Sequence, residues 1–281
     1  MRNAKPTALQ RRALACCIAA ALAPSAYAGP EGAQIVAGNG AITQTDAATT
    51  LITQSSDRLA IDWQSFNVGV NETVRFEQPS AQAAALNRIF DQNPSSILGA
   101  VEANGRVYLL NPNGMVFGAS ARINVGALIA SSLNLGLDDF IAGRQEFQAG
   151  SAGAGLVLNR GVITAATGGS VTLLGGAVAN EGLIVADLGQ VTLGAGNRAR
   201  LDFDGDGLLY FEVDDDVVAN PAGAVAAVSN TGEIRADGGQ VLLTARAAQN
   251  VFGEVVNNGG LIRAGRIDDS GGVVRLLGTG G

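Results

Sequence analysis

Alternating apolar and polar residues dominate the second half of the chain. A pattern N-x-G-x-I-x-A, followed after a short gap by G-x-V-x-L, begins at Asn159, Asn180 and Asn230, and a looser copy begins at Asn258. Because side chains alternate between the two faces of a strand, this period of two predicts strands with one face turned inward. The predicted inward positions are four isoleucines and four valine–leucine pairs: Ile163, Ile184, Ile234 and Ile262, with Val171/Leu173, Val191/Leu193, Val241/Leu243 and Val274/Leu276.

The length of the repeat predicts a solenoid. The unit from Asn159 to Asn180 has about 21 residues, too few for a strand–helix–strand crossover. We expect one coil to consist of strand, corner, strand, corner, with glycine at the corners. The asparagine that opens each unit is expected to bond the backbone and the asparagine of the next coil. Stacked coils about 4.8 Å apart then bury the inward faces, which makes the fold an all-β parallel β-helix over residues 151–281.

The alternative fold is a β-sandwich of short antiparallel hairpins. That fold places turns roughly every 8–12 residues and does not require a repeated unit of fixed length. The fixed spacing of the copies favours the β-helix.

The interval between Asn180 and Asn230 is longer than one coil. It contains two alternating runs around the turn sequence Asp204-Gly205-Asp206-Gly207, which predicts an extra-helical β-hairpin near residues 200–218. The spaced aspartates imitate the start of a calcium loop. However, Val213 stands where such a loop needs its last glutamate, so we predict no metal site there.

Residues 29–150 lack the clean repeat. They carry the larger side chains Trp63, Phe66 and Phe76, which suits an N-terminal β cap that seals the end of a solenoid. Residues 80–90 and 137–148 each fit either a short helical turn or a loop.

The first 28 residues differ in kind from the rest. Basic residues precede the short apolar stretch Ala13–Ala23, and an A-x-A site ends at Ala28. Eleven apolar residues are too few to span a bilayer, which takes about 20. We therefore predict a secretory signal peptide at residues 1–28 that is handled by the Sec machinery and signal peptidase.

Composition narrows the possible chemistry. The chain has no histidine, and both cysteines lie in the predicted signal peptide. Serine–histidine and cysteine–histidine catalysis and histidine-ligated zinc are therefore excluded. Four of the 18 basic residues also precede residue 29, which leaves 14 arginines against 25 acidic residues. So acidic a chain has no basic stripe with which to bind nucleic acid. We predict neither catalysis nor a cofactor.

One turn interrupts two apolar runs in "LLNPNGMVFG". Proline at the second position of Asn111-Pro112-Asn113-Gly114 fixes φ, and the asparagine and glycine that follow tolerate unusual backbone conformations. The Asn111 side chain is expected to bond the backbone two residues on. On these features alone, a purely structural turn is sufficient.

Several stretches between Ile61 and Leu135 together resemble a known family. "IDWQSFNVG", "VRFEQPS", "ALNRIFDQNPSSILGAVEANGRVYLLNPNGMVFG" and "INVGALIASSLNL" follow in that order, most densely over residues 86–118. They are similar to the N-terminal secretion domain of two-partner-secretion exoproteins of the filamentous-haemagglutinin type. Asn111-Pro112-Asn113-Gly114 matches the second asparagine–proline motif of that family, with Met115 in place of the usual isoleucine. The first motif is not intact, and Asn93-Pro94-Ser95 is only a partial analogue.

The resemblance implies a right-handed parallel β-helix that is exported to the periplasm and then across the outer membrane of a Gram-negative bacterium. The implied partner is a dedicated outer-membrane pore protein with periplasmic POTRA domains. Adhesion, haemolysis, toxin delivery or haem-protein binding, and any host-cell or glycan receptor, would belong to downstream regions. We expect the 281 residues to be the front of a longer exoprotein or a truncated frame, because "LLGTGG" follows a repeat without a polar cap.

Other classes of protein stay open at this level. A free-standing adhesive or structural β-helix needs only the repeats. A β-helical polysaccharide lyase or hydrolase needs converging acidic and basic residues, which the repeats do not offer. An autotransporter passenger needs a C-terminal barrel, for which the sequence gives no sign.

Overall fold

The computed structural model describes residues 29–202, 210–213, 215–265 and 272–279. The predicted signal peptide and the turn of the predicted hairpin lie outside the described residues.

Short strands account for nearly all regular structure. The first half contains β1 (Gln34–Ala37), β2 (Gly40–Asp46), β3 (Thr49–Gln54), β4 (Arg58–Trp63), β5 (Thr73–Glu77), β6 (Ala84–Ile89), β7 (Ser95–Ile97), β8 (Ala100–Ala103), β9 (Arg106–Leu110), β10 (Met115–Phe117), β11 (Arg122–Val125), β12 (Ala127–Ser131), β13 (Asn134–Leu135), the helix α1 (Leu137–Ala142) and β14 (Glu146–Gln148). The second half contains β15 (Leu156–Asn159), β16 (Val162–Ala165), β17 (Ser170–Gly175), β18 (Ala177–Asn180), β19 (Leu183–Val185), β20 (Gln190–Ala195), β21 (Arg198–Asp202), β22 (Tyr210–Val213), a 3-10 turn (Pro221–Gly223), β23 (Ala226–Asn230), β24 (Glu233–Arg235), β25 (Gln240–Arg246), β26 (Glu254–Asn258), β27 (Leu261–Arg263) and β28 (Val273–Thr279).

Three sheets form the walls of a parallel β-helix, which confirms the predicted fold class. Sheet I has the strand order β1-β4-β6-β9-β12-β17-β20-β25-β28, sheet II has β7-β10-β15-β18-β23-β26, and sheet III has β2-β3-β5-β8-β11-β16-β19-β24-β27. From β6 to β27, each coil passes from sheet I to sheet II to sheet III. One continuous apolar core fills the space between the sheets.

The predicted alignment of the repeats is confirmed residue by residue. Ile163, Ile184, Ile234 and Ile262 are consecutive partners in sheet III. The valine and leucine rows are partners in the same way along sheet I. Glycine at the corners is required by the stacking, because a Cβ on Gly189 would collide with the Gly169 carbonyl oxygen of the coil below.

The predicted number of strands in a coil was wrong. From β6 to β27 each coil has three strands rather than two, and the missing strand is the short one in sheet II, which in the repeats ends at the asparagine, as in β15 or β18. These strands have only four residues, and we attributed their last residue to a turn.

The predicted N-terminal cap is present but shorter than the irregular sequence suggested. Strands β1 and β2 pair antiparallel with β4 and β3, whereas β3 and β4 already pair parallel with the next coil. The side chains of Trp63 and Phe66 meet edge to face at 5.4 Å inside the first coils. Residues 84–89 form a strand rather than the helical turn or loop considered for 80–90, and residues 137–142 form a helix.

The predicted hairpin is part of a larger sheet. Strands β21 and β22 pair antiparallel, but β21 also pairs with β14, and β14 with β13. This lateral sheet, together with α1, covers the outer face of sheet I. A second apolar cluster fills that interface, and its largest side chains are the aromatic rings of Tyr108, Phe140 and Phe147.

At the other end of the coils, strand β28 is exposed along its whole length. It is the last strand of sheet I, beyond β25. Within the described ranges, no helix is long and apolar enough to cross a membrane.

Candidate functional site

The turn Asn111–Gly114 joins β9 in sheet I to β10 in sheet II. The Gly114 N–H donates to the Asn111 carbonyl at 2.9 Å, which closes the turn. Gly114 has φ +102°, and a Cβ at this position would lie 2.5 Å from the Leu156 carbonyl oxygen of the next coil. The turn therefore needs glycine both for its backbone conformation and for its close approach to the neighbouring coil.

The side chain of Asn111 is completely buried. Its Oδ1 accepts from the Asn113 N–H at 2.9 Å, which confirms the bond expected to the backbone two residues on. Its Nδ2 donates to the Asn93 carbonyl and to the Ser95 Oγ, each at 3.0 Å. Asn111 therefore fixes its own turn and ties that turn to the preceding coil.

Asn113 forms a second hydrogen bond to the preceding coil, from the surface of the same turn. It is exposed, and its Nδ2 donates to the Asp91 carbonyl at 2.7 Å. The next coil holds the turn from the other side, because the Gly155 N–H donates to the Pro112 carbonyl at 3.0 Å. The turn is thus clamped between two coils.

The weaker predicted site, Asn93 and Pro94, lies directly below the turn. Asp91 Oδ1 accepts from the Asn93 N–H at 2.9 Å and from its Nδ2 at 3.1 Å, which forms a compact loop. Asn93 and Pro94 are both exposed. The structure therefore brings all six predicted residues together at one corner, as two asparagine–proline turns stacked one coil apart.

Phe90, which precedes this lower loop, is not among the site residues predicted from the sequence. Its side chain is 61% exposed, although most large apolar residues of these coils are in the core. A signal for it was present in the sequence. Period-two alternation turns Ala85, Asn87 and Ile89 inward, and so turns Phe90 outward with Arg88.

The longer connections of the later coils leave the solenoid at the same corner. Residues 132–155, 196–225 and 247–253 each link a strand of sheet I to the next strand of sheet II. In the two coils that contain the asparagine–proline turns, the same link is short. The corner of these two coils is therefore not covered by an insertion of its own.

Titratable groups do not converge on this corner for chemistry. Among the residues that the structure describes, no three metal-ligating side chains come together. Burial raises the pKa of Tyr108 to about 12, but that hydroxyl donates to Gln145 Oε1 beneath the lateral sheet, away from the turns. A hydrogen bond from Arg235 lowers the pKa of the partly buried Glu233 on sheet III. The corner offers shape and amide groups, and no catalytic pair.

Comparison with known proteins gives a consistent picture. A family described as "TPS secretion domain" matches residues 26–276. Two heme/hemopexin-binding proteins of Haemophilus influenzae are 43% and 41% identical over 106 residues, which is 38% of this chain and 11% and 12% of theirs. The matched part of this chain thus corresponds to only about a tenth of the length of these curated relatives.

A solved structure extends the similarity to the fold. The HMW1 secretion domain from Haemophilus influenzae superposes with a TM-score of 0.76 and 30% sequence identity. The superposition covers 88% of this chain and 62% of that one.

Proposed function

The chain belongs to the family of TPS secretion domains, the secretion domains of two-partner-secretion exoproteins, and from that membership we propose that it targets a large exported surface protein to an outer-membrane pore. The module directs the protein to the pore and nucleates its folding, and it catalyses no reaction. The proposed secretion motif, which serves recognition by the transporter or nucleation of folding, comprises Asn111, Pro112, Asn113 and Gly114, with Asn93 and Pro94 as the weaker part.

The partner proposed for this module is an outer-membrane pore protein with periplasmic POTRA domains. The chain would reach it through the Sec machinery, after signal peptidase has removed residues 1–28. Extended, β-prone segments of the incoming chain can add to the edges of POTRA sheets by main-chain pairing. The protein would then be secreted from a Gram-negative bacterium or displayed on its surface.

The proposal rests on the two stacked asparagine–proline turns. Their ties join residues only 16, 18 and 22 positions apart, so this corner can form before most of the coils exist. Loop-closure entropy is small for such short separations. We propose that the corner nucleates the β-helix and that later coils are added on this template at the cell surface.

The binding activity in the names of the relatives is not assigned to this chain. Haem or hemopexin binding is stated of proteins about nine-tenths of which lie outside the match. We propose that adhesion, or any binding of a host surface or glycan, resides in regions downstream of the secretion domain.

Co-expression with and without the cognate pore protein tests the proposal. We expect the chain to appear in the medium or on the cell surface only when the pore is present, and to remain in the periplasm otherwise. Equal export in the absence of the pore would instead indicate a free-standing adhesive or structural β-helix. Incubation with pectin-like or other glycan substrates tests the polysaccharide-active alternative, for which we expect no product.

A further inference from the structure

We propose that residues 134–148, which form β13, α1 and β14, are a strap that closes over the stacked coils late in folding and sets the rate at which those coils unfold. The inference goes beyond the proposed function, because it concerns how long the folded chain persists, whether or not a pore is present. Slow unfolding would keep coils that have folded at the cell surface from returning to the extended form.

The strap lies on a face that exists only when five strands of sheet I are side by side. Its Phe140 ring is buried in the apolar cluster on the outer face of that sheet. The strands that contribute to this cluster are consecutive in the sheet: β4 with Ala60, β6 with Ala84 and Leu86, β9 with Tyr108 and Leu110, β12 with Ile129, and β17 with Leu174. The complete docking surface of the strap is therefore available only after these strands have stacked.

Two residues of the coils hold the strap by both polar and aromatic contacts. Arg58 in β4 donates from Nη1 to the Phe140 carbonyl at 2.7 Å, and its guanidinium lies 5.5 Å from the centre of the Phe140 ring. The Tyr108 hydroxyl in β9 donates to Gln145 Oε1 at 3.1 Å, and its ring meets Phe140 edge to face at 5.5 Å. Phe140 thus contacts two strands of sheet I that are separated by β6.

These contacts join parts of the chain that are far apart in sequence. The two hydrogen bonds connect residues 82 and 37 positions apart, whereas those of the asparagine–proline corner connect residues 16 to 22 positions apart. Because loop-closure entropy grows with separation, the corner forms at a lower entropic cost than the strap. This difference favours closure of the strap after the corner has formed.

The strap has little structure that is stable without the coils. The helix α1 has six residues and begins after Gly136, which has no side chain with which to cap it. An isolated helix of this length is not stable in water. Strand β14 pairs with β13 over two positions, and its other neighbour, β21, follows two further coils in the sequence. The strap therefore acquires its structure by docking.

Late closure has a kinetic consequence. Contacts that form after the rate-limiting step of folding stabilise the native state but not the transition state. Their loss therefore accelerates unfolding and leaves the rate of folding nearly unchanged, whereas loss of a contact in the folding nucleus slows folding. The strap contacts should behave in the first way, and contacts beside the asparagine–proline corner in the second.

Two phenylalanine substitutions test this difference. Phe140 in the strap is 1% exposed, and Phe117, in β10 beside the corner, is completely buried, so both variants lose a buried ring. We would measure folding and unfolding rates of the purified secreted chain after urea jumps, from the fluorescence of Trp63, its only tryptophan. Phe140→Ala should accelerate unfolding about a hundredfold or more and change the folding rate by less than about threefold. Phe117→Ala should slow folding by about tenfold or more.

A milder variant guards against a failure of Phe140→Ala to fold. Arg58→Gln removes the charged donor to the Phe140 carbonyl and should accelerate unfolding by about threefold to tenfold, again with little change in the folding rate. Hydrogen exchange of the wild-type chain at low urea gives an independent readout. The amides of β14 and β21 should exchange through an opening that requires less urea than the opening of β9 and β12.

Either of two results would overturn the inference. Slower folding of Phe140→Ala or Arg58→Gln, with unfolding unchanged, would place the strap in the folding nucleus. Exchange of β14, β21, β9 and β12 in a single opening would show that the strap does not close as a separate step. Export in the absence of the pore would refute the proposed function and leave these rates unaffected, so the two failures are distinguishable.

Discussion

The Asn180 side chain donates a hydrogen bond to the Asn230 side chain at 2.7 Å, although 50 residues separate the two in sequence. Asn159 donates to Asn180 at 2.8 Å, and Asn230 donates to Asn258 at 2.7 Å. Asn159, Asn180 and Asn230 are completely buried. The result is an internal ladder of side-chain amides. Each amide satisfies a hydrogen-bonding group of the next coil and thereby fixes the register between the two coils.

Asn180→Ala should destabilise the protein substantially. It leaves the Asn159 donor and the Asn230 acceptor buried without their partners, and each unsatisfied group costs about 1–3 kcal/mol. We expect a loss of roughly 2–5 kcal/mol in the free energy of unfolding, measured by urea denaturation. Asn124→Ala, at an exposed position on β11, is the control and should stay within about 0.5 kcal/mol of wild type. Equal stability of the two variants would show that the ladder does not stabilise the stack.

Asn113→Ala and Asn111→Ala should both reduce export, but for different reasons. Asn113 is exposed and loses one tie to Asp91, so its replacement should cost about 1 kcal/mol or less. Asn111 is buried, and its replacement removes three bonds, so both stability and export should fall. Immunoblots of the medium from cells that contain the pore, together with thermal midpoints of the purified variants, separate the two effects. Normal export of both variants with unchanged folding would refute a functional role of this turn.

Gly114→Ala should slow or weaken folding of the corner. Gly114 and Gly153 both have positive φ, +102° and +85°, but a Cβ at Gly153 has nothing within 4 Å, whereas one at Gly114 meets the Leu156 carbonyl. Gly153→Ala should therefore cost only the backbone term of about 1 kcal/mol, and Gly114→Ala should cost more. Denaturation of both variants isolates the contribution of the contact between coils. Equal losses of stability in the two variants would mean that the neighbouring coil moves away from the added Cβ without destabilising the protein.

The stacked rows of inward-facing side chains could be predicted because the repeat shows which residues of successive coils are equivalent. Ile163, Ile184 and Ile234 occupy equivalent places in the pattern, and parallel stacking turns equivalent places into direct partners. The third wall was missed because its strands are short and end in the asparagine that we assigned to a turn.

The first coils carry no such pattern, because their buried polar groups differ from coil to coil. Gln78, for example, donates to Gln54 Oε1 at 3.1 Å and accepts from the Gly105 N–H at 2.9 Å. These hydrogen bonds join adjacent coils at one corner, as the repeated asparagine does in the later coils. No periodicity in the sequence reveals them.

The lateral sheet depends on a pairing that the local sequence does not specify. Phe147 in β14 lies opposite Ala199 in β21, and strands this far apart in sequence meet only in the folded chain. One signal was available, since "RVYLL" and "ALIAS" are apolar on both faces, which is typical of strands that are covered on both sides. Period-two alternation alone assigns one of those faces to solvent.

Alkaline pH should release the lateral sheet, and Tyr108 reports on the release. Burial raises the pKa of Tyr108 from 10.0 to about 12, so the folded protein favours the neutral phenol. This contribution to stability is complete below about pH 10, the pKa of the unfolded chain, and is lost as the pH rises through about 12.

We expect the Tyr108 phenolate absorbance to appear near pH 12, together with faster hydrogen exchange in β14 and β21. Phe147→Ala removes a completely buried ring from the same interface, which typically costs about 3–5 kcal/mol, and should move the Tyr108 titration toward pH 10. The internal asparagine ladder lies in another part of the coil, and the exchange of β18 and β23 should stay slow in this variant. Titration of Tyr108 near pH 10 in the wild-type protein would mean that the lateral sheet does not cover sheet I in solution.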